Sequence, residues 1–130
     1  MAEPSSDLTG VWQGRYAYPL LGLDVPFTAT LLDFGGTLSG TTHEEDALAG
    51  VPQTLFASLS GRRTGEAVRF LKRYENAPET YGTVLYEGEL RDDGHEIAGR
   101  WSVAGWTGAF LMVRPRRRTQ QETRRQAERA

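Results

Sequence analysis

Apolar and polar residues alternate with a period of two along most of this chain, the signature of strands with one buried and one wet face. The first such stretch is "TGVWQGRYAY" (9 to 18), in which Leu8, Gly10, Trp12, Gly14 and Tyr16 share one phase. Turn residues interrupt the alternation every eight to twelve positions, the spacing expected of an all-β sandwich or barrel. Eight strands are predicted, at 9–18, 25–34, 37–45, 55–63, 67–75, 81–91, 95–103 and 106–114. Gly35-Gly36, "DDG" (92 to 94) and Ala104-Gly105 mark tight turns, and "LLGLD", "DALAGVPQT" and "NAPET" are longer links. No 3.6-residue period occurs between residues 8 and 114, so no helix is expected there.

Consecutive strands with short links build an antiparallel meander. A flat eight-stranded sheet would leave two open edges, and closing it into an up-and-down barrel removes them. The expected fold class is therefore all-β, an eight-stranded antiparallel up-and-down barrel, with a two-sheet sandwich as the rival. The phrases "LTGVW", "LSGTT", "LSGRR", "YEGEL" and "IAGRW" repeat one kind of strand, with glycine where a closing sheet must bend. Trp12 is expected to plug one end. Ile97, Gly99 and Trp101, and Trp106, Gly108, Phe110 and Met112, supply further inward phases. Outward positions include Leu71, Val84, Leu111 and Val113.

Length sets one domain as the prior, with 130 residues in the chain. Residues 1–7 read as a disordered N-terminus, 8–114 as the barrel and 115–130 as a basic tail. The tail "RPRRRTQQETRRQAERA" is rich in helix formers but has no apolar stripe, so it is a solvated helix or disordered. The absence of cysteine excludes disulfides and thiol chemistry. No apolar run approaches the roughly 18 residues of a membrane span. The N-terminus has neither a basic start nor an apolar stretch, so no signal peptide is expected and a cytoplasmic location is the default. Residues 1–114 carry nine Lys and Arg against fifteen Asp and Glu, a net of −6, whereas 115–130 carry six Arg against two Glu, a net of +4.

Gly10-Val11-Trp12 in the first strand and Arg114 closing the last resemble the calycins, the superfamily of lipocalins, fatty-acid-binding proteins and avidins. The resemblance implies that Arg114 packs over Trp12 as a cation–π cap on the barrel floor. "LTGVW", "GGTLSGTT" and "YEGEL…DDGHEIAGRW" are similar to avidin-type strands. The chain departs from the avidin pattern where biotin is held. "FLMVRP" offers no aspartate and residues 67–75 hold no tryptophan, so biotin is not the expected ligand.

Tyr16, Tyr18, Tyr74, Tyr81 and Tyr86 are spread over several strands. Turned inward, tyrosines give apolar walls with hydroxyl handles, which suits a small amphipathic ligand; alternatively they simply fill a small barrel. The candidate ligand contacts are Tyr16, Tyr18, Phe27, Phe70, Tyr86, Trp101 and Phe110, with Trp12 and Arg114 closing the barrel. "THEED" (42 to 46) reads as a solvated loop, because His43 and Glu44 point to opposite faces and no metal-loop spacing is present. Arg62, Arg63, Arg69, Lys72 and Arg73 give one hairpin a basic surface, but the acidic body argues against nucleic acid. Neither histidine stands in a context that builds a catalytic triad, and no phosphate loop is present. The expectation is a binder of a small apolar or amphipathic molecule, without cofactor or metal and not an enzyme. The alternative is a filled barrel that works as an interaction or oligomer-forming module, signalled by exposed outward apolar residues.

Overall fold

A computed structural model describes residues 7–19, 21–45, 53–76 and 82–115. Eight strands run in chain order: β1 (Gly10–Tyr18), β2 (Leu23–Phe34), β3 (Thr37–Glu45), β4 (Thr54–Thr64), β5 (Ala67–Tyr74), β6 (Thr83–Arg91), β7 (Glu96–Val103) and β8 (Trp106–Val113). Each pairs antiparallel with its neighbours, and β8 returns to β1 through Gln13↔Val113 to Tyr16↔Phe110, so the sheet is a closed barrel. A sandwich is thereby excluded. The closed up-and-down order is consistent with calycin-like folds. No helix among the described residues is long and apolar enough to cross a membrane. The basic tail beyond Pro115, the N-terminal segment before Asp7 and Tyr81 lie outside the described residues.

The alternation read from the sequence becomes the wall of this barrel. Trp12, Tyr16, Phe27, Ala29, Leu31, Phe70, Tyr86, Ile97, Trp101, Phe110 and Met112 are all buried on the inner face. Two ends follow from the topology. At the floor, hairpins turn tightly at Gly35-Gly36, both with positive φ, and at Asp92–Gly94. At the mouth, β3 ends at Glu45 and β4 begins at Thr54, while β5 ends at Tyr74 and β6 begins at Thr83.

The floor is laced shut. Trp12 donates its indole N–H to the Leu8 carbonyl at 3.0 Å. The Arg114 guanidinium stands 4.5 Å from the Trp12 ring centroid and donates through Nε to the Gly94 carbonyl at 3.0 Å. The Asp33 carboxylate accepts from the Leu8 and Gly36 amides and from Arg63 Nε at 2.8–3.0 Å. Burial opposes its charge, yet these donors hold the carboxyl below its ordinary range.

Four expectations change. Trp106 shares the phase of Phe110 but is 42% exposed, because it starts β8 at the rim where no opposite wall covers it. Val84 is buried, since it shares the inward phase of Tyr86. Lys72 is also buried, between Phe70 and Tyr74 on the inner face of β5, and so contributes nothing to a basic surface. Finally, β3 ends at Glu45 as the alternation predicted, so residues 42–45 of "THEED" belong to the wall, and the reading of that stretch as a solvated loop does not hold for them.

Candidate functional site

The alternation of β3 and β5 carries two opposite charges into the mouth half of the lumen. Thr42 and Glu44 follow Leu38 on the inner face of β3, while Lys72 follows Phe70 on β5. Their ion pair, Lys72 Nζ to Glu44 Oε1 at 2.5 Å, has side-chain exposures of only 1% and 2%. Tyr16 donates its hydroxyl to Glu44 Oε2, and Tyr74 donates to Glu44 Oε1 at 3.0 Å. The two tyrosine oxygens are 3.3 Å apart. One carboxylate is thus held by three donors from two other strands, Tyr16 of β1 and Lys72 and Tyr74 of β5.

Rings enclose the ammonium. Lys72 Nζ lies 4.7 Å from the Tyr16 centroid, 4.8 Å from Tyr74, 5.3 Å from Phe27 and 5.7 Å from Tyr86. These distances are in the cation–π range. The enclosure leaves little water, and burial pushes Lys72 below its ordinary value despite the carboxylate beside it. Burial, followed by the repulsion of Glu44, raises the Tyr16 and Tyr74 hydroxyls well above theirs. Tyr86 rises mainly through burial.

Backbone space sets the ring positions. Gly14 has no Cβ, and the Phe27 ring occupies the room one would take. Gly108 does the same for Trp101, whose indole N–H reaches the Ala17 carbonyl at 3.0 Å. Tyr18 is half-buried and packs edge-on against Trp101 at 4.8 Å and against Trp106 at 6.0 Å, forming the aromatic rim. Deeper in, Phe70 stacks on Tyr86 at 5.0 Å and Phe110 meets Tyr86 edge-on at 4.9 Å. The seven aromatic residues expected to meet a ligand therefore form two groups. Tyr16 and Phe27, with Tyr18 and Trp101 packed on Tyr16, belong to the mouth cluster, whereas Phe70 and Phe110 pack on Tyr86, whose ring also borders the Lys72 ammonium.

Glu44, Lys72 and Thr42 were not among the expected site residues, though the signal was present. In "VRFLKRY" Lys72 occupies the phase of Val68, Phe70 and Tyr74, and in "LSGTTHE" Glu44 occupies that of Leu38 and Thr42. A charge in the buried phase of one strand asks for an opposite charge in the buried phase of another. Thr42 is the remaining polar group: it is 1% exposed, and its hydroxyl has no hydrogen-bond partner among the described residues.

The histidines sit elsewhere. His43 faces outward, edge-on to Phe56 at 5.3 Å, beside an open groove of about 260 Å³ lined by Gln13, Thr28, Glu45 and Thr54 and also by Phe27 and Glu44. His95 Nδ1 is 3.1 Å from the Asp92 carbonyl oxygen at the floor. Among the described residues, no three His, Asp or Glu side chains gather as a metal site. Arg69 pairs loosely with Glu87 at 3.9 Å on the outer wall.

No protein-family model matches this chain, and no curated protein is similar to it.

Proposed function

We propose that the barrel binds a small amphipathic molecule in the mouth half of its lumen, with the molecule's polar end at the Tyr16–Glu44–Lys72–Tyr74 cluster. The carrying observation is the desolvated Glu44–Lys72 pair. A core built for stability alone gains little from such a pair, because desolvating both ions offsets their attraction, and apolar residues of equal volume commonly serve as well. Its placement below the rim rings Tyr18 and Trp101 gives a ligand apolar walls and a polar anchor in one place. Affinity would come chiefly from buried apolar surface, at about 25 cal/mol per Å². The hydroxyls and the ammonium would set orientation. The same reading places the chain among the calycin-like binders, in line with its Gly10-Val11-Trp12 motif and the Arg114 cap.

Native mass spectrometry of freshly purified protein tests this. The expected result is an adduct that denaturation removes and that amphiphiles restore saturably. A bare mass together with no saturable binding of any amphiphile would overturn it.

The second reading, an interaction module, draws on the outer wall. Phe34 is 73% exposed and Leu71 46%. Concentration-dependent assembly that is lost on Phe34→Ser and Leu71→Ser substitution, with no lumenal adduct, would favour it.

A further inference from the structure

We propose that the head group accepted at this site is uncharged: a hydroxyl, primary amide or similar group that both donates and accepts hydrogen bonds, seated on Thr42 beside the Glu44–Lys72 pair. This rests on the lumenal reading above and narrows it to a ligand class.

The charge balance carries the first part. Glu44 and Lys72 sum to zero whichever atom holds the proton between them, and both side chains are almost fully shielded from water. A ligand carboxylate or ammonium would bring in an unmatched unit charge. Burying one without a counter-charge costs far more than the hydrogen bonds it makes return. A ligand anion at Lys72 would stand beside the Glu44 carboxylate, and a ligand cation at Glu44 beside the Lys72 ammonium, so each would meet a like charge next to its partner. An uncharged head meets no such opposition.

The wall carries the second part. In register across three strands, Thr42 lies between Ala29 of β2 and Ala57 of β4, all of them buried. Three short side chains thus stand side by side on the inner face of β2, β3 and β4. The unpartnered buried hydroxyl of Thr42 stands among them, on the same face of β3 as Glu44 and one alternation below it. Buried polar atoms without partners are uncommon in folded proteins. A hydroxyl or amide placed here satisfies Thr42 with one bond and reaches the pair with another.

Three probes with one tail separate the head groups: 1-hexanol, hexanoate and hexylammonium, titrated at neutral pH into isotopically labelled protein and followed by NMR. Hexanol is expected to bind at least about tenfold tighter than either ion. Thr42→Val should weaken hexanol about fivefold, the worth of one hydrogen bond, and leave the fold intact. Glu44→Gln frees the Lys72 charge and should move the preference to hexanoate. Lys72→Gln frees Glu44 and should move it to hexylammonium. Hexanoate or hexylammonium binding the unaltered protein as tightly as hexanol would overturn the uncharged-head inference while leaving the lumenal reading standing. Unchanged hexanol affinity in the Thr42→Val protein would remove the Thr42 seat. Saturable binding of none of the three would overturn this inference and the lumenal reading together. The unaltered protein alone decides the head-group question, even if a charge variant fails to fold.

Discussion

The two ends of this barrel are built from the same strands and solve opposite problems. At the floor, Leu8, Trp12, Leu31, Leu38, Ile97 and Met112 pack without an internal charge, and the ionic groups Arg114, Arg63 and Asp33 lie outside them as a lid. At the mouth the order is inverted. An ion pair sits inside, ringed by Tyr16, Phe27, Tyr74 and Tyr86, and the hydrophobic rim lies above it. The floor places polar groups where they can seal an end. The mouth places them where sealing does not require them and where a visiting molecule would meet them. On the binding reading proposed above, that contrast separates structure from function in a barrel whose wall is otherwise uniform.

The largest expected effect breaks the mouth. Glu44→Ala or Lys72→Ala leaves a buried charge without its partner and should destabilise the protein by about 3–5 kcal/mol in denaturant unfolding. At the floor, Arg114→Met removes the cation–π cap and the bonds to the Gly94 and Thr9 carbonyls, while Asp33 keeps Arg63 as its direct counter-charge. The substitution should cost only about 1–2 kcal/mol. Equal losses at the two ends would erase the distinction drawn here.

Alkaline titration sharpens the same contrast. Tyr16, Tyr74 and Tyr86 have hydroxyls raised above their ordinary value near 10, chiefly by burial. The unfolded chain sheds those protons first, so the folded state is favoured in full below about pH 10 and loses ground as pH rises further. Each tyrosine adds a slope of about 1.4 kcal/mol per pH unit while it remains protonated in the fold. Tyr16→Phe should therefore flatten the alkaline loss of stability measured by chemical unfolding at stepped pH, whereas a change at the floor such as Arg114→Met should leave that slope alone.

The smallest effect concerns the turn joining β7 to β8. Ala104 holds a left-handed conformation at φ 47°, next to Gly105 at φ 86°. That region disfavours a Cβ. Ala104→Gly should raise stability by about 0.5–1 kcal/mol, visible as a small rise in Tm.

The architecture was legible because alternation and turn spacing are local patterns that a single sequence displays, and closing eight short-linked strands is what removes their two open edges. Trp12 and Tyr16 fell inward for that reason. Trp106 did not, because phase says which face a residue takes but not whether the opposite wall reaches it. Lys72 escaped notice because its neighbours Arg69 and Arg73 make "VRFLKRY" read as a basic stretch, although Lys72 alone among these cations is in the buried phase. Glu44 was hidden in the same way by the acidic run around it. Their pairing joins β3 to β5 across the lumen, with β4 between them in the wall. Such a non-adjacent contact follows only once the barrel is closed and its register fixed.

The most direct test replaces both members of the pair at once, Glu44→Gln with Lys72→Met, and measures unfolding free energy and 1-hexanol affinity on the same protein. If the pair exists to receive a ligand, stability stays within about 1 kcal/mol of the parent while the affinity falls about tenfold or more. A double substitution that unfolds the barrel as severely as either single change, or that leaves hexanol binding untouched, would contradict the assignment of the mouth cluster to binding.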